Sequence, residues 1–179
     1  MARVLFTSDL HLGHYNCMVK YDKRPFKTIE EMDLEIIKRW NKKVSKEDTV
    51  YVLGDISWYK DEHTAEILKQ LNGTIILIKG NHDHIGPLSR KYISKIYDYL
   101  EIKVDGKDVV LCHYPIHFYN KHHRGAIMLY GHVHNTKEYE YVLNICEMLE
   151  QNGETINMFN VGCMLWDYEP VTLDEILNL

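Results

Sequence analysis

Histidine and aspartate recur in this 179-residue chain in short patterns whose side chains can bind metal ions or move protons. They are Asp9-Leu10-His11, Gly54-Asp55, Gly80-Asn81-His82-Asp83, a lone His113, and Gly131-His132-Val133-His134. With 11 histidines in the composition, a D-x-H tripeptide is expected about 0.7 times by chance, whereas G-N-H-D and G-H-x-H are expected only about 0.003 and about 0.04 times. A second D-x-H is indeed present, Asp61-Glu62-His63. It falls where a helix should begin, so Asp61 is expected to be a cap and His63 a solvated neighbour. A single histidine is usually a packed or solvated residue. Here that explanation would have to hold independently at Asp9, His11, Asp55, Asn81, His113, His132 and His134.

The elements that must position these residues alternate short β-branched runs with amphipathic stretches, the pattern of an α/β domain. Val4 to Phe6, Thr49 to Leu53, Thr74 to Lys79, Asp108 to Cys112 and Ala126 to Tyr130 are expected strands, and each leads into one of the Asp, Asn or His patterns. In α/β sheets the crevice at the carboxyl ends of the strands is where such loops converge. Thr28 with Glu31 predicts a capping box, followed by a helix burying Ile29, Met32, Ile36, Trp40 and Val44. Ala65, Leu68 and Leu71 mark a shorter helix stopped at Gly73. Tyr99 to Val104 pairs with Asp108 to Cys112 around an Asp105-Gly106 turn. A helix over Lys137 to Gln151, a last strand over Thr155 to Val161, and a short helix within Thr172 to Leu179 complete the expectation, with residues 1–179 forming one domain.

Composition narrows the function class. A formal charge of −5 argues against a broad basic surface for duplex nucleic acid. The four cysteines, Cys17, Cys112, Cys146 and Cys163, have no CxxC spacing and read as reduced, buried thiols. No apolar run has the roughly 18 residues of a membrane span, and the N-terminus lacks a secretory core, so a cytoplasmic enzyme is expected.

Taken in order, D-x-H, G-D, G-N-H-D, a lone H and G-H-x-H resemble the signature of the calcineurin-like metallophosphoesterases, with the resemblance running from Val4 to His134. Ser8 to Asn16 and Asn160-Val161-Gly162 resemble its small bacterial and phage members; Glu138 to Gln151 matches least. The resemblance implies two mixed β-sheets packed as a sandwich with flanking helices. It implies that Asp9, His11 and His134 bind one metal ion, that Asn81, His113 and His132 bind another, and that Asp55 bridges them. His82 would act near the leaving group with Asp83 as its orienter. Imidazole and carboxylate donors suit manganese, iron, nickel or zinc. A bridging carboxylate holds two such cations about 3.5–4 Å apart, so that a shared water becomes hydroxide at neutral pH and attacks phosphorus in line. A phosphodiester is the expected ester, because a chain this short with no cap has an open cleft.

Around that centre His14 and Arg24 are the expected substrate contacts, and Trp58, Tyr59, Tyr114 and Tyr119 are candidate cleft walls. The glycines before three of the motifs are expected to turn the backbone tightly. Cys112 should be buried, since it neighbours His113 in a strand and points the other way. Two other readings exist. One is a non-catalytic metal-binding scaffold of the same fold, which retention of His82 disfavours. The other is a DNA nuclease of the same superfamily, which the small size disfavours.

Overall fold

Leu5 and Phe6 are adjacent and both fully buried, yet they belong to different layers of the molecule. Period-2 alternation of this kind builds the architecture. The computed structural model describes residues 2–178. Its first sheet contains β1 (Val4–Thr7), β2 (Thr49–Val52), β3 (Thr74–Ile78) and β4 (Ile93–Tyr97), all parallel, in the spatial order β4-β3-β2-β1. The second contains β5 (Tyr99–Val104), β6 (Lys107–Cys112), β7 (Ile127–Tyr130) and β8 (Asn157–Asn160), with β5 antiparallel to β6 and the other pairs parallel. A two-residue strand, β9 (Val171–Thr172), joins the first sheet antiparallel to β1. Both sheets are therefore mixed.

The apolar layer between the sheets brings Phe6, Leu53 and Ile78 against Val109, Leu111, Ile127 and Leu129. The alternate residues Leu5, Val50, Val52, Ile75 and Leu77 face outward under α1 (Ile29–Lys43) and α2 (Asp61–Leu68), which contribute Met32, Ile36, Trp40, Ile67 and Leu68. On the opposite face Val110, Cys112, Met128 and Tyr130 lie under α3 (Lys137–Gln151) and its Val142. A last helix, α4 (Leu173–Leu177), inserts Leu173 and Ile176 into the inter-sheet layer.

Most expected elements occur, with instructive differences. The Thr28 hydroxyl accepts the Glu31 amide as a cap should, but the Glu31 carboxylate accepts from the Lys27 amide, so the reciprocal half of the box is displaced by one residue. Asp105 (φ 50°) and Gly106 (φ 80°) both take the left-handed conformation that a two-residue hairpin turn demands. The final strand is shorter than its apolar pattern. Neither β4 nor β9 was anticipated, because Ile93–Tyr97 follows a polar segment and two residues carry no periodicity. Leu179, the end of the expected terminal helix, lies outside the described residues.

Candidate metal centre

The loops after β1 and β2 run side by side. The amides of Asp9, His11 and Leu12 donate to the carbonyls of Gly54, Asp55 and Ile56 at 3.0, 2.9 and 3.1 Å, and the Trp58 amide donates back to Leu12 at 2.8 Å. Alternation continues through this stretch. Leu10 and Leu12 enter the helix-side core while Asp9 and His11 face the other way, buried but polar.

Four histidines, two carboxylates and the Asn81 amide, from five loops, then meet. His11 Nε2 lies 3.1 Å from His134 Nε2, and His134 Nε2 lies 3.6 Å from Asp9 Oδ1. One oxygen of Asp55, Oδ2, is 3.5 Å from His11 Nε2 and also 3.5 Å from His113 Nε2. His113 Nε2 is 3.0 Å from Asn81 Oδ1, and the His132 ring packs edge-on against His113 with centroids 5.0 Å apart. The ligand atoms of Asp9, His11 and His134 all lie within 4.8 Å of one another, as do those of Asp9, Asp55 and His113. His132 stands further out, its ring lining the cleft and its amide donating to the Asp9 carboxylate.

The backbone is strained where these side chains converge. Asp9, His11, Asp55, His132 and His134 all have φ between 48° and 70°. A left-handed non-glycine residue costs on the order of 1 kcal/mol or more, so five of them consume a sizeable share of the roughly 5–15 kcal/mol that holds a domain folded. Asp and His tolerate this region better than most residues. Hydrogen bonds between loops hold the geometry. Among the glycines that precede the motifs, Gly54 (φ 92°) is left-handed as expected. Gly80 and Gly131 serve a different purpose: a Cβ on Gly80 would collide with the Asp55 carboxylate, and one on Gly131 with the Ser8 hydroxyl and the Asp9 carboxylate. Each clears space for another motif's side chain.

Protonation follows from burial and partners. His113 Nδ1 lies 2.7 Å from the Leu53 carbonyl and donates to it, which orients Nε2 toward Asp55 and Asn81. His134 Nδ1 likewise donates to Asp22 Oδ1 at 2.8 Å. Burial, reinforced by the charges of His134 and Arg24, pushes His11 down to about 2, and burial also lowers His14 and His132. The lowered values favour neutral rings with free lone pairs at His11, His14 and His132, whereas at His134 burial is outweighed by the bond to Asp22 and the charge of Asp9, which raise it. Burial raises Asp9.

The remaining expected residues divide sharply. His82 lines the cleft, its amide donating to Asp55 Oδ1 at 2.9 Å. Asp83 does not orient the His82 ring as expected: its two oxygens accept the amides of Gly80, Asp55 and Ile56 at 2.8 to 2.9 Å, tying the loops after β2 and β3 together. His14 lines the cleft, its Nδ1 3.4 Å from His11 Nδ1. Arg24 is not available to a substrate. Its guanidinium is buried, pairs with Asp22 at 2.8 Å, and donates to the carbonyls of Leu10 and Asp9 at 2.6 and 2.8 Å. The polar loop predicts an exposed arginine, but the carbonyls of the strained Asp9 turn draw Arg24 inside, where the Cys163 thiol also donates to Asp9. Tyr119 is also core, and Tyr59 donates its hydroxyl to Asp33, whereas Trp58 does line the cleft. Cys112 is buried as expected.

Two residues escaped sequence reasoning. Asp33, on α1, accepts the Gly13 amide and the Tyr59 hydroxyl and so supports the loop carrying His11 and His14. Asp22 joins His134, Arg24 and Cys17 in one network; burial opposes its charge, but the bond from His134 and the charge of Arg24 hold it at about 2. Its proximity to Arg24 was legible, but its link to His134 spans 112 residues.

The cleft over these residues has a volume of about 640 Å³ and is lined by His11, Asp55, His132 and His134 together with Trp58 and Lys137. A family model described as the calcineurin-like phosphoesterase superfamily domain matches residues 2–169. The chain is 34% identical over 183 residues to MJ1445, an uncharacterized protein of Methanocaldococcus jannaschii, covering 100% of this chain and 92% of the relative. It is 32% identical over 209 residues to the gene 66 protein of Mycobacterium phage D29, covering 100% of this chain and 96% of the relative. Among solved structures, AQ665 of Aquifex aeolicus, a protein of unknown function, is similar with a TM-score of 0.76 and 28% identity, covering 99% of each chain.

Proposed function

The chain belongs to the calcineurin-like phosphoesterase superfamily, whose members are metal-dependent phosphoesterases, and on that premise we propose that it hydrolyses a phosphodiester at a dinuclear centre. Asp9, His11 and His134 hold one ion, Asn81, His113 and His132 hold the other, and Asp55 serves both. The observation that carries this reading is the Asp55 Oδ2 atom, equidistant at 3.5 Å from an imidazole nitrogen of each set. The donor chemistry fits. The Nε2 atoms of His11 and His134 face each other across 3.1 Å beside two buried carboxylates, and Arg24, the nearby fixed cation, is spent on Asp22 and backbone carbonyls. These donors would hold a divalent ion whose charge would offset the carboxylates; manganese, iron, nickel and zinc all suit such donors. Two bound dications supply Lewis acidity at the phosphate and an activated water at neutral pH.

The protein's own groups do the rest. Leu53 and Asp22 fix the rings of His113 and His134 so that Nε2 of each faces inward. His82, in the cleft, donates a proton to the leaving oxygen. Asp83 keeps the Asp55 and Asn81 loops in register. The shared inter-sheet layer supports a single domain over residues 1–179. The open cleft and the −5 charge favour a small nucleotide-type ester over duplex DNA. Among the described residues no helix is long and apolar enough to cross a membrane, and the free cysteines support a reducing, cytoplasmic setting.

The test is elemental analysis of metal-reconstituted protein followed by chromogenic phosphodiester and phosphomonoester substrates with manganese. Two ions per chain and faster diester cleavage are expected. A saturated stoichiometry of one or none overturns the dinuclear centre, and a monoester preference under every metal overturns the diester assignment.

A further inference from the structure

Trp58 is placed unlike the other tryptophans of the chain. Trp40 is fully buried and donates its indole N–H to Asn72, and Trp166 donates to Asn160. Trp58 is 50% exposed at the edge of the cleft, and among the described residues its indole N–H has no acceptor. It is nonetheless held in place. Its amide is bonded to Leu12, and one face lies flat on the His14 ring, with centroids 4.1 Å apart and planes 5° from parallel. His14 in turn sits against His11, so the stack is anchored to the loop of the candidate ligands. The indole centroid is 4.9 Å from the His82 ring, the group assigned above to the leaving oxygen. Among the residues lining the cleft, the one with a permanent positive charge is Lys137, at the start of α3.

A pre-set aromatic face with a free donor, beside the leaving-group position, is suited to a planar ring carrying acceptors. Among alcohols esterified to phosphate, nucleosides carry such a ring. We propose that Trp58, backed by His14, is a stacking platform for an unpaired nucleobase on the leaving side of the scissile phosphate, which makes the substrate a nucleoside-bearing diester. The inference rests on the phosphoesterase reading above. A paired base cannot stack there, because its faces and edge are already occupied in the duplex.

The decisive comparison uses a dinucleoside monophosphate and its analogue lacking the base on the leaving nucleoside. The wild-type protein is expected to prefer the complete compound by about tenfold to a hundredfold in kcat/KM, mainly through KM, the range that one stacked base contributes. Trp58→Ala should bring that ratio close to one, while Trp58→Phe should keep most of it. A second reading needs no turnover: adenosine monophosphate should quench tryptophan emission saturably in the wild type and not in Trp58→Phe, whereas ribose 5-phosphate should quench neither. An unchanged ratio in Trp58→Ala, or equal quenching in Trp58→Phe, overturns the platform. If the wild type cleaves neither diester, the phosphodiester reading fails, and the quenching pair still decides whether Trp58 binds a base.

Discussion

Asp9-x-His11 and Asp61-x-His63 are the same tripeptide pattern in two places, and the molecule treats them oppositely. The first leaves a buried strand in a left-handed backbone, with both side chains out of solvent and aimed at ligands from other loops. The second opens α2, where i and i+2 diverge around a helix. The Asp61 carboxylate does not cap α2, as the sequence had suggested. It accepts the amides of Leu88 and Ser89 and the Ser89 hydroxyl, pinning the segment before β4. His63 lies exposed against the Tyr59 ring, with centroids 3.8 Å apart. Residue types supply potential donors, but only convergence of loops makes a donor set.

The largest effects should come from the first copy. Asp9→Asn and Asp55→Asn are each expected to lower bound metal below two per chain and kcat by about 10³-fold or more, since each removes a negative charge from among developing and fixed charges in a water-poor site. Elemental analysis and steady-state kinetics check this. Equal losses in Asp61→Asn would abolish the distinction between the copies.

His82 and His63 extend the contrast. His82→Ala should lower kcat by about 10²–10⁴-fold with metal retained, and the loss should shrink for highly acidic leaving groups, which need no proton. His63→Ala should leave kcat within about twofold, as suits a surface substitution. Metal loss in His82→Ala would make it a ligand instead. Asp83→Asn should behave differently from His82→Ala, weakening metal retention as well as turnover, because its carboxylate holds the Asp55 and Gly80 amides.

A smaller effect is expected at Asp22, which touches the donor set through the His134 ring and supports it through the buried Arg24. Asp22→Asn should weaken one of the two metal sites by about tenfold to a hundredfold and leave the other near its wild-type affinity. Stepwise metal titration separates the two, and equal weakening of both would place Asp22 in general scaffolding.

The smallest effect belongs to the second copy. Asp61→Asn should keep both metals and full turnover while lowering Tm by a few degrees. The bond from Ser89 holds the Asp61 carboxyl below its ordinary value, so its contribution is complete above the unfolded value of about 4 and fades as pH falls through the lower folded one. The Tm gap between wild type and variant should therefore narrow on acidification. A gap independent of pH would assign the stabilisation to something other than the charge.

Much of this contrast was legible early, because β1, β2, β3, β6 and β7 each carry an apolar run that stops at a polar motif, and a strand's end is a local property. The resemblance then grouped the ligands. Less legible were Arg24 and Asp83, whose types promised contact with substrate or catalytic side chain. Each is instead occupied by backbone groups of other loops, to which a sequence carries no local pointer.

What the sequence determined by itself is periodic or adjacent: the alternation that splits Leu5 from Phe6, the spacing that makes α1 amphipathic, and the motifs whose neighbours supply their own context. These depend on backbone geometry, which repeats every two or 3.6 residues whatever surrounds it. Only the tertiary structure decided that Asp61 pins the segment before β4 and does not cap α2, that Gly80 and Gly131 yield space to distant carboxylates, and that Asp22 reaches across 112 residues to His134. Such contacts arise when separate loops are brought to one edge of two sheets, and the energy of burying a charge or an imidazole depends on every group gathered there.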